Sequence, residues 1–131
     1  MKKFFATILV VGLIFLSAQA QARELTAEDE AFAKEAITNE LTEWGCTPLK
    51  IWFSGTPIED AENVKYMNDL ASGKNLEPKF TACMVFYSNF MSPPDPHDGK
   101  PTAWTYDKEY KDYSWYFGLY EGEWILMTYG Y

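Results

Sequence analysis

The chain has 131 residues, with 11 basic and 19 acidic side chains and a formal net charge of −8. That length bounds the molecule at one domain. With no basic patch, nucleic-acid binding is excluded as a reading, and the acidity disfavours direct docking to anionic lipid.

Lys2 and Lys3 give a positive start, and Phe4 to Leu16 is an apolar run. Ala18-Gln19-Ala20 and Ala20-Gln21-Ala22 are two small-residue cleavage sites. Together they predict a secretory signal peptide over residues 1–22, because the apolar run is well short of the ~20 residues of a membrane span. Cleavage after Ala22 leaves a single domain over residues 23–131, with nine basic against nineteen acidic residues and a net charge of −10. The expected location is periplasmic or secreted, with no membrane contact for the mature form. A domain of this size buries roughly two-thirds of its unfolded surface, enough for one core. Two cysteines fall in the exported part, Cys46 and Cys83. An even count in an exported chain predicts one disulfide between them, and the absence of a C-x-x-C spacing argues against a reactive pair.

The mature chain opens on a helix. Thr26 reads as the N-cap and Asp29, three residues on, as the acid of a capping box. Ala33, Ala36, Ile37, Leu41 and Trp44 recur at helical spacing, and Gly45 is a stop signal, so the spacing predicts a helix from Ala27 to Trp44. Leu49 to Phe53 alternates like a short strand. Thr56 and Pro57 read as an N-cap and first helical residue, and Ile58, Ala61, Val64, Met67 and Leu70 continue a second helix to Ser72-Gly73.

Residues 74–78 read as a loop. From Lys79 to Met91 a long strand puts Phe80, Ala82, Met84, Phe86 and Phe90 on one face, and Cys83, Val85 and Tyr87 on the other. Ser92 to Thr102 holds four of the seven prolines and reads as an irregular loop. The charged run from Asp107 to Asp112 predicts an exposed edge or a bulge.

Tyr113 to Tyr131 is the pattern of a β-hairpin turning at Glu121-Gly122. A two-residue turn pairs Tyr120 with Glu123, Leu119 with Trp124, Phe117 with Leu126 and Trp115 with Thr128. Tyr116, Gly118, Ile125, Met127 and Tyr129 then share the second face. Both faces are apolar, so each must be covered or serve as a binding surface. The order helix, strand, helix and three consecutive strands predicts an α+β fold. A long N-terminal helix packs on a curved antiparallel sheet of about four strands, with the second helix between the first and second strands.

Candidate chemistry is sparse. Asp95, His97 and Asp98 form either a surface cation site or a polar turn, and turn chemistry accounts for them. Asp112, beside Tyr113, is the nearest approach to a catalytic carboxylate, while Glu59, Asp60 and Glu62 sit where the start of a helix favours acids anyway. There is no nucleophile elbow and no phosphate loop. The tryptophans and nine tyrosines either line a pocket for a flat apolar or sugar-like ligand or fill the core.

The helix ending at Gly45, the second helix between the first strand and the rest, and the closing Gly122-Glu123-Trp124-Ile125-Leu126 resemble the cystatin-like superfamily, its NTF2-like (ketosteroid-isomerase-like) group in particular. The resemblance implies a curved sheet around the first helix, a conical pocket at one end and homodimers through the outer sheet face. On that reading Trp52, Tyr113, Trp115 and Thr128 would line the pocket. Tyr116, Ile125, Met127 and Tyr129 would form the dimer face. No catalytic residue carries over, and no metal or cofactor is implied. The expected function is an exported binding domain without catalytic activity, for a small molecule or an envelope protein. The alternatives are an inhibitor or immunity-type protein acting through an acidic surface, and a small enzyme with a carboxylate–tyrosine site.

Overall fold

The computed structural model of the chain describes residues 23–73, 79–100 and 104–131. The expected signal peptide, the 74–78 loop and residues 101–103 of the proline-rich loop lie outside the described residues. Six elements follow in order: α1 (Ala27–Glu43), β1 (Thr47–Phe53), α2 (Ala61–Gly73), β2 (Ala82–Met91), β3 (Glu109–Tyr120) and β4 (Glu123–Gly130). The sheet is antiparallel throughout, in the order β1-β2-β3-β4. This is the expected α+β fold. No helix among the described residues is long and apolar enough to cross a membrane.

Local chemistry sets the helix ends. The Thr26 hydroxyl accepts from the Asp29 N–H, and the Asp29 carboxylate accepts from the Thr26 N–H, each at 3.0 Å. This reciprocal pair satisfies two donors that the first turn of a helix leaves open. Trp44 is the C-cap, one residue past the helical end. The second helix starts later than expected. Residues Pro57 to Asp60 form a turn, closed by the Asp60 N–H on the Pro57 carbonyl. Asp60 then takes the capping role expected of Thr56, because its carboxylate accepts from the Asn63 N–H at 3.1 Å.

The hairpin turns as its residues dictate. Glu121 and Gly122 both take positive φ, 50° and 81°, as a two-residue turn that follows the strand twist requires. Tyr120 faces Glu123, and the expected register holds as far as Phe117–Leu126. There β4 carries one extra residue, Met127, so Tyr116 faces Thr128 and Trp115 faces Tyr129 rather than Thr128. Further bulges interrupt β1 near Leu49 and β3 at Lys111–Asp112, the latter inside the run where an edge or bulge was expected. Each bulge bends its strand and shifts the inward–outward phase.

The sheet is covered on both faces. Ala33, Ile37 and Leu41 of α1 bury against Met84, Phe86, Phe90, Trp115, Phe117 and Leu119. On the other side Met67 and Ala71 of α2 bury against Phe80, Cys83, Val85 and Met127. Asn68 anchors α2 by a double hydrogen bond to the backbone of Phe80, accepting at 2.7 Å and donating at 3.1 Å. Phe80 precedes β2 and lies over Gly118 on the α2 face, not on the α1 face where alternation placed it.

The expected disulfide is not formed. Cys46 and Cys83 are both free and both buried. Cys46 belongs to the core under α1 and Cys83 to the core under α2. The sheet stands between the two thiols, because odd-numbered positions in this part of β2 point away from α1.

Candidate functional site

Asp29 is the only buried carboxylate among the described residues, 7% exposed. It accepts four hydrogen bonds from three residues. Arg23 donates to both of its oxygens at 3.0 and 3.3 Å, Trp124 Nε1 donates at 2.9 Å, and the Thr26 N–H completes the set. The Arg23 guanidinium also lies 5.6 Å from the centroid of the Trp124 ring. Burial by itself would raise the Asp29 pKa. The hydrogen bonds from Arg23, Thr26 and Trp124 outweigh it and hold the carboxyl at about 2, below its ordinary 3.8. Asp29 is thus locked as an anion. It joins the start of α1 to β4 across 95 residues of sequence.

Beside this lock lies a cleft of about 550 Å³, lined by Arg23, Glu24, Leu25, Phe53, Pro57 and Ile58. It sits between the segment leading into α1 and the connection from β1 to α2. Its walls belong to the α1 layer, since Leu25, Phe53 and Ile58 all pack against that core. Ile58 forms the floor and is almost wholly buried. The Asp29 contacts fix the Arg23 guanidinium at the rim, and two of its five N–H donors go to that carboxylate. The result is an apolar slot with one pre-oriented cation and one carboxylate, Glu24, at its mouth.

At the opposite end of α1, Trp44 collects aromatic neighbours. Its ring stacks on Trp115 at 5.5 Å and 17°, and Tyr129 and Trp104 lie 5.0 and 5.6 Å away. Trp115 is fully buried, and its Nε1 donates to the equally buried Ser88 hydroxyl at 2.8 Å. That contact explains the one polar break in the inner face of β2.

The residues expected to line a pocket do not converge. Tyr113 and Trp115 belong to the α1 side, with Trp115 inside the core. Trp52 lies on the edge strand against Tyr87, under the Lys50 ammonium at 4.8 Å. Thr128 lines a separate cleft of about 120 Å³ on the α2 side. The four residues expected on an outer dimer face also divide. Met127 and Tyr116 pack under α2, where Tyr116 meets Tyr66 edge-on at 5.4 Å. Ile125 remains exposed, and the Met127 bulge carries Tyr129 to the α1 side against Trp44.

Asp95 and Asp98 cap turns, accepting from the His97 and Lys100 N–H groups at 2.8 and 2.9 Å. No group of three metal-ligating side chains is positioned for an ion among the described residues. Asp112 is exposed at the β3 bulge, with φ +57° and its N–H on Asn89 Oδ1. The expected carboxylate–tyrosine site calls for a buried acid with a raised pKa, whereas Asp29, the one buried carboxylate among the described residues, has its pKa lowered. The residues missed from sequence are Arg23, Leu25 and Ile58. Their one local signal is a cation and a leucine directly ahead of a capping box. No family model, no curated protein and no solved structure matches the chain.

Proposed function

We propose that this protein is an exported binding domain that takes a small, largely apolar ligand in the cleft under the start of α1. The observation that carries this reading is the cleft itself. Its volume of about 550 Å³ falls within the ~300–1,000 Å³ range of small-molecule sites, and its walls are mainly apolar. Arg23 adds fixed N–H donors at the rim, with its charge paired to Asp29 and Glu24 close by, which favours a ligand with a strongly polar end. Holding the guanidinium in place before binding reduces the ordering cost of recognition. The amphipathic anion 1-anilinonaphthalene-8-sulfonate is a suitable probe. It should bind the native protein at one saturable site with a rise in fluorescence, and Leu25→Trp, which fills the slot, should abolish that rise. No saturable rise, or a rise indifferent to Leu25→Trp, contradicts the reading.

A further inference from the structure

β4 forms one edge of the sheet, and among the described residues no strand pairs with its outer side. Its backbone phase follows from the turn. The Tyr120–Glu123 pair that flanks a two-residue turn is hydrogen-bonded, so Glu123 and Ile125 direct their N–H and C=O groups to β3. Trp124 and Leu126 direct theirs away from the sheet. Leu119 agrees with this phase: it faces Trp124, yet its carbonyl accepts from the Thr81 N–H on the β2 side. Such an open row of donors and acceptors templates a further strand unless something blunts it.

The two edges of the sheet differ in this respect. β1 carries Pro48, Lys50 and a bulge near Leu49, all devices that keep an edge from pairing. β4 has no proline and no basic residue, and its one charge, Glu123, stands at its first position. Its bulge at Met127 leaves residues 123–127 as the stretch free to pair. Exposed apolar side chains gather along the same edge. Of the six large ones among the described residues, only Leu49 lies elsewhere. Ile125 and Tyr129 are on β4 and Tyr131 follows it. Phe32 and Tyr66 meet Phe117 and Tyr116, the β3 residues next to that stretch and its bulge. An apolar border on an open edge marks an interaction surface.

We infer that residues 123–127 of β4 pair antiparallel with the same stretch of a second copy, about a two-fold axis through Ile125. The self-match selects a second copy rather than a foreign strand. In this register Ile125, 38% exposed in the single chain, meets Ile125 of the second copy. Trp124 of each copy meets Leu126 of the other, and these pairs exchange N–H···O bonds through the backbone groups that point outward. Glu123 meets Met127, so no carboxylate opposes another, although each chain carries a formal charge of −8. An axis at Glu123 would set acid on acid, and one at Met127 would fall on the bulge. The result is an isologous dimer with one sheet running through both copies. Its short ladder places it among the small, weak interfaces, with a Kd of about 100 µM or tighter.

Sedimentation velocity of the purified protein, from about 1 µM to about 500 µM, tests this. The parent should shift from monomer to dimer across that range. Ile125→Lys sets two ammonium groups against each other on the axis and should weaken the dimer at least about tenfold, with an unchanged circular dichroism spectrum. Ile125→Cys tests the register independently. Residues facing each other at a non-hydrogen-bonded position have Cα atoms about 4.5 Å apart, within disulfide reach. Oxidised glutathione should therefore link two copies through Ile125→Cys much faster than through Tyr129→Cys, an exposed position away from the axis. The inference is overturned if the parent stays monomeric at about 500 µM. It is equally overturned if folded Ile125→Lys dimerises like the parent, or if the two cysteine variants cross-link at equal rates. A parent dimer that dissociates at about 0.5 M salt is held by opposite charges instead, and that too overturns it.

Discussion

Replacing Asp29 by Asn should weaken the fold by an amount that depends on pH. In the folded protein the carboxyl titrates at about 2, against 3.8 for the unperturbed group. The difference corresponds to about 2 kcal/mol of stability held by the ionised form. The folded pKa is the lower one, so the contribution is complete at neutral pH and is lost as pH falls through the folded value. About half of it should remain at pH 3. The Thr26 and Trp124 N–H groups bind different oxygens of Asp29, so the amide keeps an acceptor for only one of them and gives up the charge that holds Arg23. Urea unfolding followed by tryptophan fluorescence, at pH 7 and at pH 3, measures both numbers for parent and Asp29→Asn. The expected gap between the two proteins is about 2 kcal/mol at pH 7 and clearly smaller at pH 3. A gap under about 0.5 kcal/mol, as for an ordinary surface change, would refute the reasoning. So would a gap of equal size at both pH values.

Three other perturbations follow from the core. Ser88→Ala strands the buried Trp115 N–H without its acceptor, which should cost about 1–3 kcal/mol in the same assay and move the Trp115 indole N–H resonance. Gly118→Ala would place a Cβ 2.5 Å from the Phe80 ring, so overpacking should destabilise by about 1–3 kcal/mol, read as a lowered urea midpoint. The two thiols are buried in separate layers, and burial pushes the Cys83 thiol up to about 12. Ellman's reagent should therefore react with both only after unfolding, and a reductant should leave the native Tm unchanged.

The legible parts of this chain are those that local chemistry decides. Thr26 and Asp29 announce their capping box because the partners are three residues apart. The faces of β2 follow from alternation between Ala82 and Phe86, and the Glu121-Gly122 turn follows from the need for positive φ. The illegible parts depend on phase and on long-range contacts. One extra residue at Met127 moves Tyr129 from the expected dimer face to the Trp44 cluster, and alternation cannot register such an insertion. Counting cysteines predicted a bridge, but their number carries no information about which side of the sheet each occupies. The second face read as covered or as a binding surface; α2 covers it, leaving Ile125 open. The Arg23–Asp29–Trp124 lock closes over nearly the whole described chain, so no window of sequence contains it.

The binding role is tested most directly by native mass spectrometry of the protein, purified gently from the cells that make it. The account predicts a folded chain carrying a co-purified small molecule, released on denaturation and missing from Leu25→Trp. A bare chain that shows no adduct and also fails to bind the naphthalene-sulfonate probe would contradict it.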